Sequence, residues 1–152
     1  MKYKSIMAIA LSAGMLACGS GQDKAKETGD APLIGKSEIK IADGIMTPEA
    51  LYSFGRLSDV QVSPDNAKVL YGVTYVSIEQ NKTNRELFTM NIDGTDNKQI
   101  TKTPKSENNA VWVKNGSKIA FLTSESGSSQ IWEMNPDGTD RIQVSEVGGG
   151  VN

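Results

Sequence analysis

The chain of 152 residues contains no histidine and a single cysteine, Cys18. Without histidine there is no imidazole to serve as the general base of a Ser-His-Asp triad, so these residues cannot assemble one. One cysteine cannot form an intramolecular disulfide. Aromatic residues make up only 6% of the chain, and no apolar run reaches the about 20 residues that a membrane-spanning helix needs. Sixteen Lys and Arg against eighteen Asp and Glu leave a net charge of −2, without the basic stripe that a nucleic-acid partner would want. No Gly-x-Ser-x-Gly elbow occurs, and Gly127-Ser128-Ser129 reads as a polar hairpin tip. No catalytic residue, metal ligand or cofactor-binding residue is assigned, and no cofactor is expected.

What is present begins with a leader, MKYKSIMAIALSAGMLACGS. Lys2 and Lys4 form a positive n-region, and the apolar stretch of eleven residues from Ile6 to Leu16 suits the h-region of a secretory signal. The stretch Met15-Leu16-Ala17-Cys18 resembles a bacterial lipobox, in which a lipoprotein signal peptidase cuts before a cysteine that carries lipid. Leu16 stands where a small residue is usual, and ordinary cleavage after Gly19, with Ala17 and Gly19 as the small pair, is the other reading. The resemblance implies a lipid on Cys18, which would also remove an unpaired thiol from an oxidising compartment. It further implies an exported lipoprotein anchored to a membrane, periplasmic or at the cell surface. Residues 1–17 are then the signal peptide and 18–45 a flexible tether. From Gly19 to Lys36 the chain is rich in Gly, Ser, Lys, Asp and Glu and has no aromatic residue, so it should not pack on the domain that follows.

Beyond the tether the chain repeats itself. SPDNAKVLY (63–71) matches VKNGSKIAF (113–121) at an offset of 50, and RELFTMNIDGTDNKQIT (85–101) matches SQIWEMNPDGTDRIQVS (129–145) at an offset of 44. The six-residue difference lies in the intervening loop, longer in the first copy. A repeat of 40–50 residues is the period of propeller blades. Each copy reads as four short strands: 59–63, 68–77, 85–92 and 98–101, then about 110–113, 118–124, 130–135 and 142–145. In strand three, Leu87 and Thr89 share one face while Phe88 and Met90 share the other. The same register joins Ile131 with Glu133, and Trp132 with Met134. The fold class is all-β, a partial β-propeller of two four-stranded antiparallel blades (about 57–103 and 107–147), with 148–152 as the start of a third.

The repeated Asp-Gly is the clearest local signal. Gly94 and Gly138 can take the positive φ of a hairpin turn, and Asp93 and Asp137 can bond to the turn backbone. As metal ligands these aspartates lack the alternating oxygens of a calcium loop, so the turn reading is preferred. Trp112 and Trp132 fall where blades press together, and Tyr71 and Phe121 hold equivalent repeat positions, so all four should be core. Glu79, Arg85 and Glu86 on the long hairpin read as solvated charges, with contact to substrate or a second domain as the other reading. Thr47 suits a helix N-cap, with Pro48 at the first helical position and Glu49 near the positive end, and that helix should end near Gly55.

The stretch TPEALYSFGRLSDVQVSPD (47–65) resembles the lead-in to the propeller of the prolyl oligopeptidase family, in its acylaminoacyl-peptidase and dipeptidyl-peptidase-like branch. Ser63-Pro64-Asp65 is kept, while Asn66 replaces the usual glycine and also tolerates the left-handed conformation. The resemblance runs from about residue 46 to the end. It implies the N-terminal fragment of a serine peptidase, whose propeller gates an α/β-hydrolase domain that acts on small peptides. The partners implied are that C-terminal hydrolase domain, beyond these residues, a peptide substrate in the parent protein, and a membrane through the lipid; nucleic acid is not among them. The alternatives are a non-catalytic periplasmic interaction propeller of the TolB kind, a sensor or carbohydrate-binding propeller, and a two-blade protein that closes by oligomerising.

The leader makes one prediction. A Cys18→Ser variant should no longer incorporate labelled fatty acid and should leave the membrane fraction; unchanged membrane retention would remove the anchor from the account.

Overall fold

A computed structural model describes residues 32–152. The signal peptide, Cys18 and the first part of the tether lie outside the described residues. Within them a short helix leads into two four-stranded antiparallel sheets. The helix α1 (Pro48–Ser53) is capped by Thr47, whose hydroxyl accepts a hydrogen bond from the Ala50 amide at 3.2 Å, and its chain turns extended at Phe54. The first sheet is an up-and-down meander of β1 (Arg56–Val62), β2 (Lys68–Ser77), β3 (Lys82–Asn91) and β4 (Lys98–Gln99). The second repeats it with β5 (Asn108–Val113), β6 (Lys118–Thr123), β7 (Gln130–Met134) and β8 (Ile142–Gln143).

The first strand starts three residues earlier than the repeat suggests, and the fourth is cut to two residues. The early start comes from the bulges. Pairing between β1 and β2 slips between Ser58 and Gln61, with Asp59 in the left-handed region at φ 53°. Fifty residues on, pairing between β5 and β6 slips between Asn108 and Val111, with Asn109 at φ 52°. Asp and Asn tolerate that conformation better than other side chains, and the bulge lets each first strand continue through it. The turn at 63–66 closes as its residues propose. Ser63 donates to Asp65 Oδ1 (2.6 Å), the Lys68 amide donates to Ser63 Oγ (2.8 Å), and Asn66 sits at φ 59°. The β2–β3 hairpin is the longer one, with ten registered pairs from Lys68↔Asn91 to Ser77↔Lys82, against five in β6–β7.

The register decides where the core sits. In the first sheet Leu70, Leu87 and Ile100 share one face; Val69, Tyr71, Val73, Phe88 and Met90 share the other. In the second sheet Ile119, Phe121, Trp132 and Met134 share a face. The main core lies between the sheets: Leu70 and Leu87 pack with Ala110, Ile119, Phe121 and Met134, flanked by Ile100, Trp112 and Trp132. Both tryptophans therefore pack against the core, each partly buried. The face of the first sheet that is buried is the repeat equivalent of the face of the second sheet that is not. The sheets stack in one direction, like repeat units, instead of meeting by like faces.

Part of the tether does not stay clear of the sheets. The Pro32 carbonyl accepts a hydrogen bond from Gln80 Nε2 at 3.0 Å, and Lys36–Lys40 run beside Tyr71, Val73, Tyr75 and Phe88 on the first sheet's outer face. Polar composition predicted a free spacer, but the long hairpin and the apolar outer face give this stretch something to lie on.

The stacking separates two otherwise identical glycines. Gly94 and Gly138 have φ 85° and 89°. A Cβ on Gly94 would meet open space, whereas a Cβ on Gly138 would collide with the Ile100 carbonyl of the neighbouring sheet. Alanine in the left-handed region costs roughly 1–2 kcal/mol, and overpacking adds roughly 1–3 kcal/mol. Gly138→Ala should therefore lower urea-unfolding stability by clearly more than Gly94→Ala; equal losses would mean that the sheets do not stack as described.

Candidate functional site

The two Asp-Gly turns repeat the same set of internal hydrogen bonds. Asp93 Oδ1 accepts from the Thr95 amide (2.9 Å) and hydroxyl (2.7 Å), Asn91 Nδ2 donates to Thr95 Oγ1 (2.9 Å), and the Gly94 amide donates to the Asn91 carbonyl (2.9 Å). In the second turn Asp137 Oδ1 accepts from the Thr139 amide (3.0 Å) and hydroxyl (2.7 Å), and Asn135 Nδ2 donates to Thr139 Oγ1 (2.8 Å). The threonine hydroxyls hold both carboxyls below the usual carboxylate range. Each carboxylate is occupied inside its own turn, which is a structural use.

The chemistry-bearing groups gather elsewhere, where the chain leaves the first sheet for the second. Glu86, on β3, is 1% exposed. Its Oε1 accepts from Asn84 Nδ2 (2.8 Å) and the Thr103 amide (3.1 Å), and its Oε2 accepts from the Thr101 hydroxyl (2.8 Å). Thr101 Oγ1 in turn accepts from the Leu87 amide at 2.8 Å, closing the edge of β3 where β4 stops short. Burial pushes the Glu86 carboxyl up to about 7, reinforced by the nearby Glu107 charge and opposed by these hydrogen bonds.

Glu107 is fully buried at the start of the second sheet and tied to the first, its amide donating to the Arg85 carbonyl at 3.0 Å. Its Oε1 accepts from the Thr103 hydroxyl (2.8 Å) and from Arg141 Nη2 (3.1 Å). Desolvation raises this carboxyl, while the Thr103 hydroxyl and the Arg141 charge work against the rise. Arg141 also reaches Glu125 (2.7 Å) and lies over the Phe121 ring, 4.9 Å from its centre. Arg141 thus joins the connector to the second sheet's core by an ion pair and a cation–π contact. Glu107 Oε2 and Arg141 Nη1 are buried with no hydrogen-bond partner among the described residues.

This corrects the reading of the long hairpin. Glu79 is exposed, as a solvated charge should be, but Arg85 pairs with Asp59 at 2.8 Å and Glu86 is buried. Register puts Glu86 on the Phe88 face, opposite Val73, and the exit loop 101–107 folds over it. The repeat alignment held the missed signal. The position equivalent to Glu86 is Gln130, and that to Thr101 is Ser145. Ser145 Oγ donates to Gln130 Oε1 (2.8 Å), the Val147 amide does the same (3.0 Å), and Gln130 Nε2 donates to the Val147 carbonyl (2.9 Å). A Glu/Gln alternation paired with Thr/Ser at fixed spacing marks a hydrogen-bonding role at both positions.

No family model matches the chain. Over 107 residues, 70% of its length, it is 36% identical to dipeptidyl-peptidase 5 of Porphyromonas endodontalis. Over 86 residues, 57% of its length, it is 43% identical to dipeptidyl-peptidase 5 of Porphyromonas gingivalis. Acylaminoacyl peptidase of Pyrococcus horikoshii superposes on 64% of the chain with a TM-score of 0.52 and 25% identity. The two sheets are blades of a prolyl oligopeptidase-family propeller. The chain spans only 16% and 13% of the two curated relatives and 14% of the solved peptidase.

In propeller terms the polar cluster is the latch that carries one blade into the next, and the second blade repeats it. The Val151 amide donates to the Ser129 carbonyl (2.7 Å) as the Glu107 amide does to Arg85. The cluster's hydrogen bonds run from β3 to the amide and hydroxyls of the connector, so what it does is position the connector. It also titrates. An unfolded glutamate loses its proton near 4.5, whereas folded Glu86 keeps its own to about pH 7. The folded state therefore binds the extra proton between those values, and its stability falls as pH rises through them, by roughly 3 kcal/mol from Glu86. Glu86→Gln, copying the second blade, should remove this share of the slope between pH 4.5 and 7. Stability curves of the two forms that run parallel from pH 5 to 8 would refute the buried titration.

Proposed function

We propose that this chain is the substrate-gating propeller portion of an exported serine peptidase that cleaves dipeptides or acyl-amino acids from small peptides. The observation that carries it is the 36% identity to a dipeptidyl-peptidase over 107 residues. That stretch is long enough to include both blades. The catalytic serine, aspartate and histidine belong, in this reading, to an α/β-hydrolase domain downstream of Asn152. There a serine oxygen attacks the peptide carbonyl, the histidine takes its proton, and backbone amides hold the developing oxyanion. The blades add no chemical group to that reaction. Their part is steric: a stiff wall that admits short peptides and keeps folded chains out.

Rigidity is what such a wall needs, and the latch at Glu86, Glu107 and Arg141 supports it by fixing one blade against the next. The leader supports the location. Lys2, Lys4 and the apolar run before Cys18 fit export, with a lipid on Cys18 holding the enzyme at a membrane.

The test uses a fluorophosphonate probe and dipeptidyl and acylaminoacyl substrates. The 152-residue chain should neither label nor hydrolyse, because it offers no imidazole to activate a serine. The product of the gene continued past Asn152 should do both. Labelling of the histidine-free chain would overturn the reading, and a continued product that stays unlabelled would point to a non-catalytic interaction propeller.

A further inference from the structure

The latch of the first blade is short of one hydrogen. Glu86 and Glu107 are both buried where the chain leaves β3. Glu86 Oε1 accepts from Asn84 and the Thr103 amide, and Glu107 Oε1 accepts from the Thr103 hydroxyl and Arg141. The other two oxygens turn on Thr101. Its hydroxyl donates to Glu86 Oε2 at 2.8 Å. Desolvation raises the Glu107 carboxyl, and the same Thr101 hydroxyl is among the hydrogen-bonding groups that oppose the rise, so it lies within reach of both acids. A hydroxyl has one hydrogen to give. While Thr101 gives it to Glu86, Glu107 Oε2 is buried with no hydrogen-bond partner among the described residues. The second blade has no such shortage. Gln130 brings hydrogens of its own, donating to Ser128 and the Val147 carbonyl while its oxygen accepts from Ser145 and the Val147 amide.

We propose that Glu86, Thr101 and Glu107 form a proton-operated catch that fastens the connector between the blades. A proton on Glu86 Oε2 makes that oxygen a donor to Thr101 Oγ1, whose other lone pair still accepts the Leu87 amide. The Thr101 hydrogen then turns to Glu107 Oε2, and every carboxyl oxygen has a partner. Release of the proton to solvent reverses both bonds. Thr101 turns back to Glu86, and Glu107 Oε2 is left without a donor beside a second negative charge. A buried charge without its partner is strongly destabilising, and it is relieved by admitting water. Water enters when Glu107 lifts away, which breaks the bond from its amide to the Arg85 carbonyl. The groups around Glu86 fix the pH at which this happens. Asn84 donates to it from β3, and Glu107 faces it from the connector. Tyr75 lies near it on β2, its phenol raised by burial, with the Tyr71 and Glu86 charges adding to the rise. Arg141 reaches Glu107, and no lysine or arginine pairs with Glu86 among the described residues. Burial, reinforced by the Glu107 charge, keeps Glu86 protonated up to about 7. The catch is therefore set below that value and released above it.

Amide hydrogen exchange read by NMR on the 152-residue chain tests the catch against a built-in control. Thr103 donates to Glu86 and Glu107 to Arg85; Val147 donates to Gln130 and Val151 to Ser129, the same bonds in a latch that cannot ionise. From about pH 6 to about 8, the protection factors of Thr103 and Glu107 should fall at least about tenfold relative to Val147 and Val151. The side-chain carboxyl carbon of Glu107 should shift at the same midpoint as that of Glu86. Glu86→Gln should hold the protection of both amides level over the same range. Thr101→Val should abolish the Glu107 shift while Glu86 still titrates, and Thr101→Ser, copying Ser145, should restore it. Four parallel protection profiles overturn the proposal. So does a pH dependence that survives Glu86→Gln, or a Glu107 shift that survives Thr101→Val. The catch is read without any peptidase activity, so its failure leaves the peptidase reading intact.

Discussion

Leu70 and Leu87 of one blade meet Ile119, Phe121 and Met134 of the next, and most other features of the chain follow from that layer. Fully burying each such side chain contributes roughly 1.5–3 kcal/mol, so the layer is the main source of cohesion between two sheets that share only a connector. It also sets a direction. Because unlike faces meet, neither blade is finished by the contact. Each turns a second apolar face away from the contact, and on the first blade residues 36–40 lie along it, as expected of stacked repeats.

The polar latch answers a problem that the short fourth strands create. The fourth strand of each blade is only two residues long, which leaves donors on the third strand unpaired. The chain satisfies them with side chains: Thr101 for the Leu87 amide, Ser145 for the Ile131 amide. A residue on the third strand then anchors the hydroxyl and the loop that follows. Glutamine does this at neutral cost in the second blade, while glutamate in the first must bury a carboxyl, which its raised titration reflects. Arg141 compensates part of that negative potential through Glu107, and the stacking of its guanidinium on Phe121 places it there.

A wall of this kind suits the peptidase proposed above. A gate works by shape, and shape persists when each joint is fixed by both packing and satisfied hydrogen bonds. The long first hairpin projects beyond its counterpart, which gives the first blade a shape of its own without altering the repeat beneath it.

Much of this was legible in the residues. The two offsets, the Asp-Gly turns, the Thr47 cap and the strand alternation all depend on contacts a few residues apart, which local sequence specifies. The positive-φ Asp59 and Asn109 were visible only as an aligned Asp/Asn pair, and their bulges were missed because nothing nearby forces them. The burial of Glu86 was missed because its cover arrives from residues 101–107. What the sequence determined by itself was that there are two copies of a four-stranded unit and where each one turns. Only the tertiary structure decided which face of each copy is buried. Alternation distinguishes the two faces of a strand, but both carry large apolar side chains, Leu70 and Leu87 on one and Tyr71 and Phe88 on the other. The choice between them is made by the direction of stacking, a contact between residues some fifty positions apart that no local pattern encodes.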